Sequence, residues 1–114
     1  MTDEERALAL AEIIDHYGFK AQVCKLIEEL GEATSAASEL LMLEEFNEDG
    51  GKRSDRQQRV ERLLCEMADV QNVMDQLVFY LTYKNYPELW NSYRDIGIAK
   101  TIARIDREKQ KENK

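Results

Sequence analysis

Apolar residues recur every three to four positions along most of the chain, and that period predicts four helices. Thr2 with Glu5 three residues on reads as a capping box that opens the first helix. Leu8, Ala11 and Ile14 point inward there, with Leu10 and Ile13 as further candidates, and Gly18 after Tyr17 is a stop signal. A long second helix is expected from Phe19 to Phe46. The glycine-bearing polar stretch Asn47 to Arg53 reads as a loop. Ser54, with Gln57 three residues on, caps a third helix reaching about Lys84. Asn85-Tyr86-Pro87 breaks the pattern and places Pro87 in the first turn of a fourth helix, which continues to about Asp106. Residues 109–114 form a charged tail expected to fray, so 1–108 are read as one all-α domain.

On the second helix, at about 100° per residue, Gln22, Leu26, Glu29, Ala33, Ala36, Leu40 and Leu43 form one stripe. On the third, Leu63, Glu66, Val70, Val73 and Leu77 form another, with Asp69 at its edge. Both stripes carry carboxylates among apolar residues: Glu28, Glu29 and Glu32 on or beside the first, Glu66 and Asp69 on or beside the second. Acidic residues three or four apart are neighbours on a helix and repel. If the two helices pack, several carboxylates converge, and they must protonate, hydrate or bind cations. Oxygen-only ligands suit hard cations such as Mg²⁺ or Mn²⁺. The competing reading is a solvated or salt-bridged acidic face, since Glu12-x-x-Asp15 and Glu45-x-x-Glu48 repeat the spacing elsewhere. Gly31 in mid-helix is unfavourable by about 1 kcal/mol relative to Ala, which suggests close approach of a ligand or another helix.

Composition narrows the choice. A chain of 114 residues, 43% hydrophobic and 34% charged, with one Pro and five Gly, favours helices over a sandwich or barrel. A net charge of −7 argues against a nucleic-acid backbone as partner. It leaves a nucleotide open, because a bound metal inverts the local charge. The apolar runs are too short for a membrane span, and the acidic start is unlike a targeting peptide, so a cytoplasmic location is expected. Cys24 and Cys65 fall inside helical patterns and read as small core hydrophobes in a reducing compartment. His16, the one histidine, reads as a helix C-terminal residue facing the dipole. Phe79, Tyr80, Tyr83, Tyr86, Trp90 and Tyr93 read as helix packing, with base stacking as the minority reading.

Tyr17-Gly18, Gln22 and the run from Lys25 to Glu32, followed by Glu66-Met67-Ala68-Asp69-Val70 and Met74 to Leu77, resemble the MazG-like nucleoside triphosphate pyrophosphohydrolases. That family's pattern is Glu-Glu-x-x-Glu, a variable connection, then Glu-x-x-Asp. The likeness runs from about residue 13 to 107, although the connection between Glu32 and Glu66 is long for the family. The resemblance implies a four-helix-bundle-like fold completed by homodimerisation, with tetramers also known in such families. It implies metal-dependent cleavage of a ribo- or deoxyribonucleoside triphosphate between the α and β phosphates. Glu29, Glu32, Glu66 and Asp69 are then the Mg²⁺ ligands, and Glu28 is a further ligand or the base that orients water. Lys100 and Arg104, four apart on one face, resemble the family's basic pair and would hold phosphates, or else form a solvated basic surface. Gln22 and Asn72 are candidate contacts to base, sugar or phosphate, or polar spacers. Leu40, Leu41, Met42, Leu43 and Phe46 nearly surround the end of the second helix and suggest burial against another subunit. The alternative of a different class is a non-enzymatic helical interaction module.

Overall fold

A computed structural model describes residues 1–46, 53–82 and 88–113. These form α1 (Asp3–Tyr17), α2 (Phe19–Phe46), α3 (Arg53–Thr82) and α4 (Glu88–Glu112), with no strand among the described residues. The fold is all-α. The polar loop before α3, Asn85-Tyr86-Pro87, Tyr83 and the proposed Ser54 cap lie outside the residues or side chains described. The chain divides into two compact units, Met1–Leu77 and Val78–Lys114.

Local chemistry explains the helix ends. The Thr2 hydroxyl accepts from the Glu5 backbone N–H at 3.1 Å and donates to the Glu5 carboxylate at 3.1 Å, so the cap forms with Asp3, Glu4 and Glu5 in the first turn. His16 lies in the last turn, as expected, edge-on to Tyr17. Gly18 alone separates α1 from α2. Its φ of 89° and ψ of 161° belong to a region that side chains with a Cβ rarely enter. Its N–H donates to the Ile14 carbonyl at 2.8 Å and its carbonyl accepts from the Gln22 N–H at 3.2 Å, so one residue closes one helix and starts the next.

In the first unit α2 and α3 run antiparallel. Gln22 bonds Gln76 near one end, Glu39 pairs with Arg59 and Arg62 further along, and Glu44 pairs with Arg56 near the other. This register turns both stripes inward. Gln22, Glu29 and Ala36 are buried, and Leu26, Ala33, Leu40 and Leu43 are half-buried, while Ile27, Leu30, Leu41 and Met42 stay exposed. On α3, Val73 and Leu77 are buried and Leu63, Glu66 and Val70 half-buried. Ile14 of α1 packs on Val73 and Leu77, with Phe19, Val23 and Leu26 around them.

Several expectations change. Leu8 is 67% exposed and Ile13 is also exposed, because α1 joins the core through Ile14 at its C-terminal end. Cys24 and Cys65 are both exposed and unpaired, since each sits off its stripe and beside it. Among the described residues nothing lies within 4 Å of where a Cβ at Gly31 would stand, so close approach by any of them is not what that glycine serves. In the second unit α4 buries none of its residues and continues to Glu112, taking in part of the stretch expected to fray. Lys109 and Lys111 in its last turn complement the helix dipole. Phe79, Tyr80 and Tyr93 are exposed and Trp90 is half-buried. No helix among the described residues is long and apolar enough to cross a membrane.

Candidate metal centre

Glu29 faces α3 from the inner stripe of α2, and Glu66 and Asp69 face it from successive turns of α3. One carboxylate oxygen from each lies within 4.8 Å of the others. Glu29 is 6% exposed, Glu66 is half-buried and Asp69 sits at the rim. Glu29 Oε1 has a partner, Lys25 Nζ at 3.1 Å, one turn back on α2. Glu29 Oε2 and Glu66 Oε2 are sealed from solvent without any hydrogen-bond donor. A buried carboxylate oxygen with no donor is unfavourable by about 1–3 kcal/mol or more, and a second carboxylate close by adds repulsion.

The surrounding charges register this field. The Glu29 carboxylate holds the Glu32 carboxyl above its ordinary value, with burial and then Glu66 adding to the rise. Lys25 is held above its ordinary value by its hydrogen bond to Glu29, then by the charge of Glu28, whose oxygen lies 3.8 Å away. Beyond the trio, Arg62 is raised chiefly by its hydrogen bond to Glu39, with Glu66 and Glu32 contributing more weakly. Two cations therefore flank the carboxylates, and neither Lys25 nor Arg62 donates to the two orphan oxygens. The donor set is three carboxylates with Glu32 close enough to feel their charge, all oxygen, which fits a hard divalent cation.

A cavity of about 530 Å³ adjoins the trio, within the usual range for small-molecule sites. Lys25 and Glu28 line it, so it shares Lys25 with the carboxylate cluster. Ile13, Tyr17 and Ala21 supply apolar wall, and Gln22 and Gln76 supply buried amides. Gln22 Nε2 donates to Gln76 Oε1 at 2.7 Å, and Gln76 Nε2 donates to the Asn72 carbonyl at 3.1 Å.

Of the residues singled out in the sequence, Glu29, Glu66 and Asp69 meet, Glu32 is coupled to them electrostatically, and Gln22 and Glu28 line the adjoining cavity. Asn72 is exposed and enters through its backbone carbonyl. Lys100 and Arg104 lie exposed on α4 in the second unit. Sequence reasoning missed Lys25 and Gln76. A lysine four residues before Glu29 is a standard helix pair, and Gln76 lies on the buried face between Val73 and Leu77, so both carried a readable signal. No family model, curated protein or solved structure matches this chain.

Proposed function

We propose that this protein is a metal-dependent nucleoside triphosphate pyrophosphohydrolase that releases a nucleoside monophosphate and pyrophosphate. The observation that carries the reading is the meeting of Glu29, Glu66 and Asp69 with two sealed, donorless oxygens among them. Such a cluster calls for a cation, and Mg²⁺, with Mn²⁺ as substitute, is the proposed one, held by Glu29, Glu66 and Asp69 with Glu32. When bound, the metal supplies charge neutralisation for the triphosphate and acidifies a water. Glu28, exposed at the cavity wall, is proposed to orient the attacking water. Lys25 offers a cation where the cavity meets the carboxylates. Lys100 and Arg104 are assigned to phosphate contacts on the resemblance to MazG-like enzymes alone. That resemblance, in the order of the two acidic pairs, also supports the reaction class.

The same reading includes a homodimer. Its support is apolar surface left uncovered: Leu41 and Met42 on α2, Leu64 and Met67 on α3, and Ile98 and Ile102 on α4 are each more than half exposed. The uncovered face of α4 equally favours the second reading, a helical interaction module without catalysis.

The deciding experiment is product analysis on a panel of ribo- and deoxyribonucleoside triphosphates with Mg²⁺, Mn²⁺ or chelator. Metal-dependent monophosphate and pyrophosphate, lost in Glu29→Ala and Asp69→Ala proteins that keep their helical spectrum, is the expected result. Release of phosphate and diphosphate would mean a different phosphohydrolase, and no turnover by folded protein would leave the interaction module.

A further inference from the structure

Lys25 lies between two carboxylates of its own helix. Its Nζ is 3.1 Å from Glu29 Oε1, four residues on, and 3.8 Å from Glu28 Oε1, three residues on. Both spacings put the partner on the lysine's side of the helix, within reach of one flexible four-carbon stem. The two partners differ in surroundings. The Glu29 side chain is 8% exposed and belongs to the trio with Glu66 and Asp69. The Glu28 side chain is 59% exposed and lines the cavity of about 530 Å³. Lys25 is itself half-exposed and is the one cation lining that cavity among the described residues.

A divalent cation joining the trio competes for Glu29 on unequal terms. It carries two charges to the lysine's one, and a hard cation such as Mg²⁺ sits about 2.1 Å from a carboxylate oxygen. It also repels the ammonium. Glu29 is buried and cannot follow the lysine outward, so the lysine is the partner that moves. Glu28 is the nearest place for it to go, and rotation of the stem suffices without any backbone change.

We infer that Lys25 is a two-position counter-cation: with the trio metal-free it holds Glu29, and a divalent cation sends it to Glu28 on the cavity wall. The switch rests on the proposed metal centre and is independent of the proposed reaction. Metal occupancy then reaches the cavity through one side chain. In the metal-free position Glu28 presents to the cavity a carboxylate whose cation is 3.8 Å away and engaged elsewhere. In the metal-bound position Glu28 and Lys25 close into an ion pair, and a negatively charged ligand meets less repulsion at that wall. A side chain with two seats, biased by one bound ion, passes a local charge change to a neighbouring site.

The test titrates the full chain, isotope-labelled, with Mg²⁺ while the Lys25 Nζ and Glu28 Cδ signals are followed, and calorimetry gives the Mg²⁺ Kd. In the wild type both signals should move as the metal binds. This arm needs no variant, so misfolding cannot mask it. Lys25→Met removes the competitor and should tighten Mg²⁺ by about 5-fold, with the Glu28 signal now still. Glu28→Gln removes the second seat and should weaken Mg²⁺ by about 2-fold or more in the wild-type background, with no effect in the Lys25→Met background. That non-additivity separates a seat for lysine from a direct metal ligand. Any of three results overturns the switch: the Lys25 signal stays still while Mg²⁺ binds, Lys25→Met binds Mg²⁺ no tighter, or Glu28→Gln weakens binding equally in both backgrounds. Failure of the wild type to bind Mg²⁺ or Mn²⁺ at all removes the metal centre and the switch together. Binding with a still lysine removes the switch alone.

Discussion

Replacing Glu29 by Gln should make the metal-free protein more stable. Glu29 and Glu66 bring carboxylate oxygens within 4.8 Å of one another, where two unit charges repel by about 1 kcal/mol at water-like screening and about 3.5 kcal/mol at an effective dielectric of about 20. Glu29 is buried and Glu66 half-buried, so the true figure lies toward the upper part of that range. The substitution also gives up the Lys25 pair, which at this half-exposed lysine is worth about 0.2–1 kcal/mol. The incoming amide also brings a hydrogen-bond donor into the cluster, where Glu66 Oε2 has none. The net gain is about 1–2.5 kcal/mol, or roughly 4–10 °C in melting temperature for a chain of this length. Divalent metal should reverse the order. At about 100 times its Kd the metal stabilises the wild type by about 2.7 kcal/mol, and Glu29→Gln should lose most of that shift. Thermal unfolding followed by circular dichroism at 222 nm, in chelator and in Mg²⁺ or Mn²⁺, reads both effects. A variant that melts below the wild type in chelator would refute the repulsion, and equal metal-induced shifts in the two proteins would refute the ligand assignment.

Glu32 offers a pH test with a definite sign. Its carboxyl is raised above the ordinary 4.5 by Glu29, so the folded protein holds that proton more tightly than the unfolded chain. Its contribution to stability therefore declines as pH rises through 4.5 and then through the raised value. In Glu29→Gln the Glu32 titration, followed by carboxyl carbon NMR, should move back down, and an unchanged titration would refute the coupling. Glu39 runs the other way: Arg62, by hydrogen bond and charge, lowers it below 4.5. Its stabilisation is present above the ordinary value and lost as pH falls through the lowered one, so Arg62→Met should raise the Glu39 midpoint in the same experiment. Gly31→Ala should raise stability by about 0.5–1 kcal/mol in urea unfolding, because the helix gains propensity and the added methyl meets none of the described residues. A gain in stability joined to loss of triphosphate turnover would instead mean that a ligand or second copy comes close there. Gly18→Ala should destabilise by about 1–3 kcal/mol in the same unfolding assay, since its φ of 89° is strained for any side chain.

The helices were legible because their determinants are local. Thr2 and Glu5 cap α1 by a contact within one turn, and Gly18 ends it because backbone geometry at one residue decides the matter. The inward stripe of α2, from Gln22 through Glu29 to Leu43, was legible for a related reason: the 3.6-residue period places those positions on one face whatever they pack against. That Glu29 and Glu66 would both face inward followed from the same period. Which partner each inward group meets did not follow, because that depends on how far one helix slides along the other. Only the register between α2 and α3 brings Asp69 to Glu29 and Gln76 to Gln22, and only the short reach of α1 leaves Leu8 in water. Cys24 and Cys65 lie beside their stripes, where a small change in the breadth of the contact decides burial, and the contact proved narrow. Sequence alone thus determined the elements and the faces they bury, since those arise within a few residues. Tertiary structure decided which buried oxygens are left without donors, because that is settled by groups distant in the chain.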